Sequence, residues 1–151
     1  CLITALALKA QNIDVTLVGK HQNKLDIAKK QGVKISLLQE FVIEKKYDVV
    51  IEATGSISGF ETALALTKPR GVLVLKSTVA ASKEFNLAPI VIDEITVLGS
   101  RCGQFGPALR LLENNRINFA PFISKTYSID EAIEAFEANK SKESLKILIK
   151  I

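Results

Sequence analysis

Short apolar runs alternate with amphipathic segments along the chain, and this alternation predicts the secondary structure. Leu2, Leu6 and Ala10 share one face of a helix that is already under way when the chain begins. β-Branched runs predict strands, and apolar positions at helical spacing predict the helices between them. The predicted strands span residues 13–19, 33–37, 48–53, 72–77, 94–100, 122–127 and 146–151. The predicted helices span residues 23–31, 58–67, 86–91, 107–115 and 129–139, with a short helix or turn at 41–46.

Strand and helix follow each other in turn up to about residue 115. This order is typical of a parallel sheet with right-handed crossovers and helices on both faces. Parallel strands that are covered on both faces are almost continuously apolar, so we expect their side chains to form the core. The expected core residues are Val15, Val18, Val49, Ile51, Val72, Val74 and Leu75. The sequence therefore predicts a doubly wound, mostly parallel α/β fold with a carboxyl-terminal helix and strand segment.

Composition narrows the classes of partner. The chain has 151 residues, 48% apolar and 24% charged, with a net charge of +4, which is ordinary for a globular protein. Its lysines are scattered and only 6% of residues are aromatic, so we expect no nucleic acid partner. No uncharged apolar run reaches the length of roughly 18 residues that a membrane span needs. The two cysteines and one histidine lack the spacing of zinc ligands, so we expect no metal site. Two cysteines without a disulfide pattern favour a reducing cytoplasm.

Residues 48–56 contain the clearest candidate site. An apolar strand stops there at Thr54-Gly55-Ser56, and an amphipathic helix follows. Ligands of open α/β sheets bind outside the carboxyl ends of the strands, and a glycine without a Cβ lets a ligand approach the backbone. The alternative is a plain strand-to-helix turn in which Ser56 caps the helix.

Four segments resemble, in order and spacing, the zinc-type medium-chain alcohol dehydrogenase family: residues 47–56, 69–75, 95–101 and 130–137. The resemblance runs through the whole chain. It implies that residues 1–101 are a dinucleotide-binding (Rossmann-like) domain that lacks its first strand. It also implies that residues 102–151 belong to the carboxyl-terminal part of the catalytic domain. We therefore interpret the chain as the carboxyl-terminal part of a dehydrogenase whose catalytic domain and glycine-rich turn would come before Cys1.

The resemblance also implies which residues line the cofactor cleft. The carboxyl ends of three strands would contact the cofactor near the nicotinamide, and one lysine would lie near the pyrophosphate. The implied residues are Ala53, Thr54, Gly55, Ser77, Thr78, Ser100, Arg101 and Lys146. Alternatively, Ser77 and Ser100 form hydrogen bonds with backbone groups at the ends of their strands, and Lys146 is a solvated lysine. We interpret Cys102 as a small packing residue, since a thiol is reactive only where its pKa is lowered.

The end of the first predicted strand bears on the choice of cofactor. Domains that use NAD carry an acidic residue there, which accepts hydrogen bonds from the ribose hydroxyls. This chain has Gly19-Lys20-His21 at that point and Lys24 one helical turn later. A glycine and two cations favour NADP over NAD, because the lysines can pair with a 2′-phosphate. The alternative is a turn glycine beside solvated lysines, and His21 is interpreted as a phosphate contact or a helix start.

The resemblance implies an NAD(P)-dependent oxidoreductase that transfers hydride to or from an alcohol or carbonyl substrate, with zinc in the intact parent. A non-catalytic nucleotide-binding or dimerisation fragment is the alternative. A doubly wound domain that binds S-adenosylmethionine is a third possibility, against which the segment Glu52-Ala53-Thr54-Gly55 counts. We also expect the strand at residues 94–101 to lie at a sheet edge and to form a homodimer, since exposed edges pair with other chains.

We predict that the 151-residue chain by itself does not oxidise alcohols. The resemblance places the zinc ligands outside this sequence, and zinc contributes several kcal/mol to the transition state of such reactions. The glycine-rich turn that would bind the pyrophosphate at a helix N-terminus is also outside it. The measurement is NAD(P)H formation by the purified chain with added zinc, beside an enzyme-free blank and a complete dehydrogenase. Zinc-dependent turnover above the blank would contradict the prediction.

Overall fold

The computed structural model describes residues 2–78, 85–114, 116–141 and 143–151. In chain order, the elements are α1 (Leu2–Ala10), β1 (Thr16–Gly19), α2 (Gln22–Lys29), β2 (Lys34–Leu37), β3 (Tyr47–Glu52), α3 (Ile57–Leu66), β4 (Thr67–Leu75), α4 (Ala88–Ile92), β5 (Thr96–Gly99), α5 (Phe105–Glu113), β6 (Ile123–Ser128), α6 (Ala132–Asn139) and β7 (Lys146–Lys150). The chain divides into two compact units, residues 39–108 and residues 2–38 with 109–151. No described helix is long and apolar enough to cross a membrane.

The unit at residues 39–108 contains a three-stranded parallel sheet in the order β3-β4-β5. Its central strand β4 carries Leu73, which is fully buried. Leu73 packs in one cluster with Ala63 and Leu64 of α3 and with Ile95, which precedes β5. The register pairs Glu52 with Leu75 and Leu75 with Gly99. The carboxyl ends of all three strands are therefore aligned at one edge of the sheet.

The second unit contains two parallel strand pairs, β1 with β2 and β6 with β7. Its core is formed by buried side chains of α1, α2 and the segments around β2 and β6. These core residues are Ala5, Leu6, Ala28, Val33, Ile117 and Phe122. The side chain of Gln31 holds the backbone of Asn118 through two hydrogen bonds of 3.0 and 2.8 Å. Distant parts of the sequence are thus fastened together within this unit.

The α/β class and the parallel pairing predicted from the sequence are confirmed. Gly32 has φ +81°, so the predicted left-handed cap after α2 is present. Ser128 and Glu131 form the predicted capping box, although it opens a turn of 3-10 helix at Ile129–Glu131 that leads into α6. Among the described residues, β1 pairs only with β2 and β3 only with β4. The predicted helix end at Asn115, like Cys1, lies outside the described residues.

Three predictions about local structure are wrong. Residues 41–46 form neither a helix nor a hydrogen-bonded turn; Phe41 stacks on Tyr47 at 6.3 Å between ring centroids instead. Val49 was predicted to be a core residue, yet its side chain is 54% exposed. Cys102 is exposed rather than packed, because it lies in the exposed segment 101–104 that follows β5.

The predicted domain boundary after residue 101 stays a prediction. The two compact units are defined by contacts within the described residues, and their limits fall at residues 38 and 108. A unit defined in this way is a packing unit and does not identify where a catalytic domain begins. Helix α5 (Phe105–Glu113) contains the second of these limits.

We predict that Gly71→Ala destabilises the unit at residues 39–108. A Cβ at Gly71 would lie 2.8 Å from the carbonyl oxygen of Lys68 and 2.9 Å from that of Asp48. These are backbone atoms that cannot rotate away, so we expect a loss of about 1–3 kcal/mol in the free energy of unfolding, the usual cost of overpacking.

The measurement is urea denaturation followed by circular dichroism. Gly99→Ala is the matched control, because a Cβ at Gly99 meets no atom within 4 Å. Equal midpoints for the two variants would contradict the prediction.

Candidate functional site

The loop between β3 and α3 exposes its backbone at one residue. Gly55 has φ +72°, a conformation that glycine adopts without strain. It is exposed, and a Cβ built on it would meet no atom within 4 Å. Ser56 then caps α3 by accepting a hydrogen bond from the backbone N–H of Gly59 at 3.1 Å. The turn therefore caps α3, as the alternative interpretation predicted. It also leaves the Gly55 backbone open to the approach of a ligand.

The buried carboxylate of Glu52 lies beneath this loop. Glu52 is only 4% exposed. Its Oε1 accepts hydrogen bonds from the backbone N–H of Thr54 at 2.5 Å and from the Thr54 hydroxyl at 2.7 Å. Its Oε2 accepts a hydrogen bond from the hydroxyl of Ser77. Ser77 in turn accepts one from the backbone N–H of Gly55 at 3.0 Å. One carboxylate thus connects the loop after β3 with the end of β4.

Opposing influences act on the pKa of the Glu52 carboxyl. Burial raises it, while the hydrogen bonds from Ser77, Thr54 and the backbone of Gly55 lower it, and the net result lies below the ordinary value of 4.5. Glu52 is therefore charged at neutral pH. Because the folded pKa is depressed, its contribution to stability is present above the pKa of the unfolded chain. That contribution is lost as the pH falls through the folded pKa.

A close contact between Thr54 and Gly59 completes the loop. A Cβ at Gly59 would lie 1.9 Å from the Thr54 hydroxyl oxygen, so only glycine leaves room for that side chain. The hydroxyl also accepts a hydrogen bond from the backbone N–H of Ser56 at 3.1 Å. The hydroxyls of Thr54 and Ser77 are both used within the protein, while Gly55 is exposed and no atom lies within 4 Å of the position of a Cβ.

The ends of β4 and β5 are joined in the same region. The backbone N–H of Ser100 donates to Leu75 at 2.9 Å. The ammonium group of Lys76 lies 3.3 Å from the Ser100 hydroxyl and 3.3 Å from the carbonyl oxygen of Arg101. Lys76, Thr78 and Arg101 are exposed. The structure thus brings Thr54, Gly55 and Ser77 into one network and joins the ends of β4 and β5, as Ser100 and Arg101 contact Lys76.

The remaining predicted site residues belong to the second unit. Gly19 ends β1, and a Cβ on it would lie 3.0 Å from a terminal carbon of Leu25. Lys20 is exposed and Lys24 is half-buried. His21 occupies the N-cap position of α2 without a side-chain capping bond. Lys146 is the exposed first residue of β7. Cofactor binding stays a prediction for these residues, for Ala53 and for the predicted site residues that follow β3, β4 and β5.

Glu52, Gly59 and Lys76 were not among the residues predicted for the site. Glu52 carried a signal, because a carboxylate at the end of an apolar strand is buried only where hydrogen-bond donors satisfy it. The partners of Glu52 come from a loop and from the next strand, so their identity needed the structure. Gly59 and Lys76 carried no distinctive pattern. In the described part of the chain, no cluster of three or more histidine, cysteine, aspartate or glutamate side chains could hold a metal ion.

The chain resembles several known dehydrogenases over nearly its whole length. It is 30% identical to a sorbitol dehydrogenase of Bombyx mori, covering 100% of this chain and 47% of that protein. The structure of L-idonate 5-dehydrogenase from Escherichia coli K-12 superposes with a TM-score of 0.90 at 24% identity, covering 99% of this chain and 46% of that one.

Two further similar structures contain a cofactor. A short chain alcohol dehydrogenase from E. coli CFT073 complexed with NADH has a TM-score of 0.86 at 18% identity, with coverage of 99% and 49%. A zinc-binding dehydrogenase from Sinorhizobium meliloti 1021 bound to NADP has a TM-score of 0.85 at 23% identity, also with coverage of 99% and 49%. The structures below 25% identity show the shared fold alone.

The chain spans less than half the length of each of these proteins. The family described as zinc-binding dehydrogenase matches residues 1–114, which is most of the chain and includes the Glu52 network and the aligned ends of β3, β4 and β5. The chain therefore belongs to the zinc-binding dehydrogenase family.

Proposed function

We propose that this chain supplies part of the nicotinamide dinucleotide site of an alcohol or polyol dehydrogenase. The observation that carries the proposal is the exposed backbone of Gly55 at the carboxyl end of β3. Gly55 is held by Ser77, and the ends of three parallel strands are aligned around it. Ligands of parallel α/β sheets bind at this edge. The sorbitol dehydrogenase relative and the cofactor-bound neighbours support a nicotinamide cofactor.

In this proposal the residues of the chain bind and orient the cofactor. A bound nicotinamide supplies the hydride chemistry, and zinc in a whole dehydrogenase polarises the substrate oxygen. The backbone at Gly55 lets the cofactor approach β3, and the exposed Thr78 and Arg101 flank the same edge from β4 and β5. The backbone groups around Ser77 and Ser100 would hold the carboxamide.

A non-catalytic nucleotide-binding or dimerisation role is the second candidate. It is favoured by the lack of a metal-ligand cluster in the described residues and by the exposed strand β5. Binding of an adenosine-containing ligand such as S-adenosylmethionine would use the same strand edge. Titration of the chain with NADPH, NADH and S-adenosylmethionine separates these functions, because the proposed site requires a nicotinamide dinucleotide to bind most tightly.

We predict that NADPH binds more tightly than NADH and that Gly19→Asp reverses the preference. Lys20 and Lys24 can form charge-assisted bonds with a 2′-phosphate, and such bonds contribute about 1.5–3 kcal/mol each. One such bond corresponds to roughly tenfold to hundredfold in affinity, reduced by the exposure of Lys20. An aspartate would repel the phosphate and offer the NADH ribose an acceptor. The measurement is the dissociation constant of each cofactor by fluorescence titration.

Gly19→Ala is the control for packing, because any Cβ at this position meets Leu25 at 3.0 Å. We expect Gly19→Ala to weaken both cofactors equally and Gly19→Asp to change their ratio. The prediction would be contradicted if the wild-type chain bound NADPH and NADH equally and Gly19→Asp did not change the ratio of their dissociation constants. Lys20 and Lys24 would then be solvated surface residues.

We also propose that β5 forms a homodimer through its free edge. Among the described residues β5 pairs only with β4, and Val97 and Leu98 are 39% and 53% exposed. Ser100 donates its N–H to β4, so the alternation along a strand directs the N–H of Val97 away from β4. An unpaired apolar edge of this kind pairs readily with a second copy.

We predict that Val97→Pro converts the dimer to a monomer. Proline removes the outward N–H of Val97 and leaves the hydrogen bonds from β5 to β4 in place. The measurement is sedimentation velocity over a range of concentrations. Val97→Thr is the control, because it keeps both the N–H and the strand propensity. A wild-type chain that sediments as a monomer at all concentrations would contradict the proposal.

A further inference from the structure

We propose that Glu52 is a positioning residue, whose buried carboxylate fastens the loop at residues 53–56 to the end of β4 and thereby holds the Gly55 backbone in its ligand-accepting conformation. The inference deepens the proposed function, on which its ligand part rests. Glu52 itself does not face the open side of the loop, since it is only 4% exposed. It acts through Thr54 and Ser77, which it contacts directly.

The charge on Glu52 determines the direction of the surrounding hydrogen bonds. A carboxylate only accepts hydrogen bonds, so the hydroxyls of Thr54 and Ser77 must both turn their protons toward it. Their lone pairs are then free to accept the backbone N–H of Ser56 at 3.1 Å and that of Gly55 at 3.0 Å. A neutral group at residue 52 would not impose this direction. The ionised carboxylate therefore selects one arrangement of a loop whose hydroxyls could otherwise rotate.

The environment of Glu52 explains why this arrangement is stable. Hydrogen bonds to a charged acceptor are about twice as strong as those between neutral groups. The pKa of Glu52 is affected by burial and by its bonds to Ser77, Thr54 and Gly55, and no charged side chain contributes. The network therefore involves only the loop after β3 and the end of β4. Gly59 makes it possible, since a side chain there would displace the Thr54 hydroxyl.

Ser77→Ala and Glu52→Gln test the inference in the whole chain by amide hydrogen exchange and NMR. Ser77→Ala keeps the charge but removes the connection between Glu52 and Gly55. Glu52→Gln keeps the size of the side chain but removes the charge. We expect the Gly55 amide to exchange at least tenfold faster in Ser77→Ala and faster than wild type in Glu52→Gln. The double variant should be no faster than the faster single one, because both changes break the same connection.

The pH dependence of the Thr54 amide signal is the second measurement. Its N–H donates to Glu52, so its proton shift should titrate with a midpoint below the ordinary value of 4.5. The midpoint should rise in Ser77→Ala, and the titration should vanish in Glu52→Gln. Glu61→Gln, on the exposed side of α3, is the matched control and should change nothing. Unchanged Gly55 exchange in Ser77→Ala, or a wild-type midpoint at or above 4.5, would overturn the inference.

NADPH titration of the same variants distinguishes the inference from the proposed function. We expect Ser77→Ala and Glu52→Gln to weaken NADPH about tenfold, in step with faster Gly55 exchange. If NADPH binds equally well to all variants although Gly55 exchange has accelerated, Glu52 does not position the ligand site, and the proposed function stands. If the wild-type chain binds neither NADPH nor NADH while the exchange results hold, the loop-fastening role of Glu52 stands and the proposed function fails.

Discussion

The candidate site depends on one buried carboxylate, that of Glu52, which must be supplied with hydrogen-bond donors. An ionised group with 4% exposure is costly to bury unless it is fully hydrogen-bonded. Glu52 obtains its donors from Thr54, two residues later, and from Ser77 at the end of the next strand. The loop can therefore not change shape without leaving a buried charge unsatisfied. This requirement makes the positions of the β3 loop and of the β4 end depend on each other.

The sheet supplies the frame within which that requirement is met. Leu73 at the centre of β4 is fully buried between its neighbours, so β4 cannot slide without exposing it. The register that results places Glu52 opposite Leu75, two residues before Ser77. Glycines permit the closest contacts of this frame, Gly71 against the backbone of Asp48 and Gly59 against Thr54. Apolar packing thus fixes the register, and the register brings the polar groups within hydrogen-bonding distance.

The features that the sequence predicted well depend on local patterns. The left-handed Gly32 and the Ser128–Glu131 capping box each follow from residues a few positions apart, and the α/β class follows from the order of apolar runs. The features it missed depend on tertiary neighbours. Val49 lies in an apolar run yet is 54% exposed, because burial is decided by what packs on a strand. Glu52 was recognisable as a carboxylate at the end of an apolar strand, but its partner Ser77 lies 25 residues away in the sequence, so the network itself needed the structure.

Gly19 shows why a single position can carry two constraints that the sequence cannot separate. A glycine at the end of β1 avoids repulsion of a 2′-phosphate, and together with the cations Lys20 and Lys24 it led to the prediction of NADP. The structure adds a packing argument, since a Cβ would press on the buried side chain of Leu25 at 3.0 Å. An acidic residue there would therefore need both a different ligand and a shift of Leu25 on α2. Packing by itself is enough to favour glycine at this position. The glycine therefore indicates the cofactor only if the ratio of the affinities for NADPH and NADH changes between Gly19→Ala and Gly19→Asp.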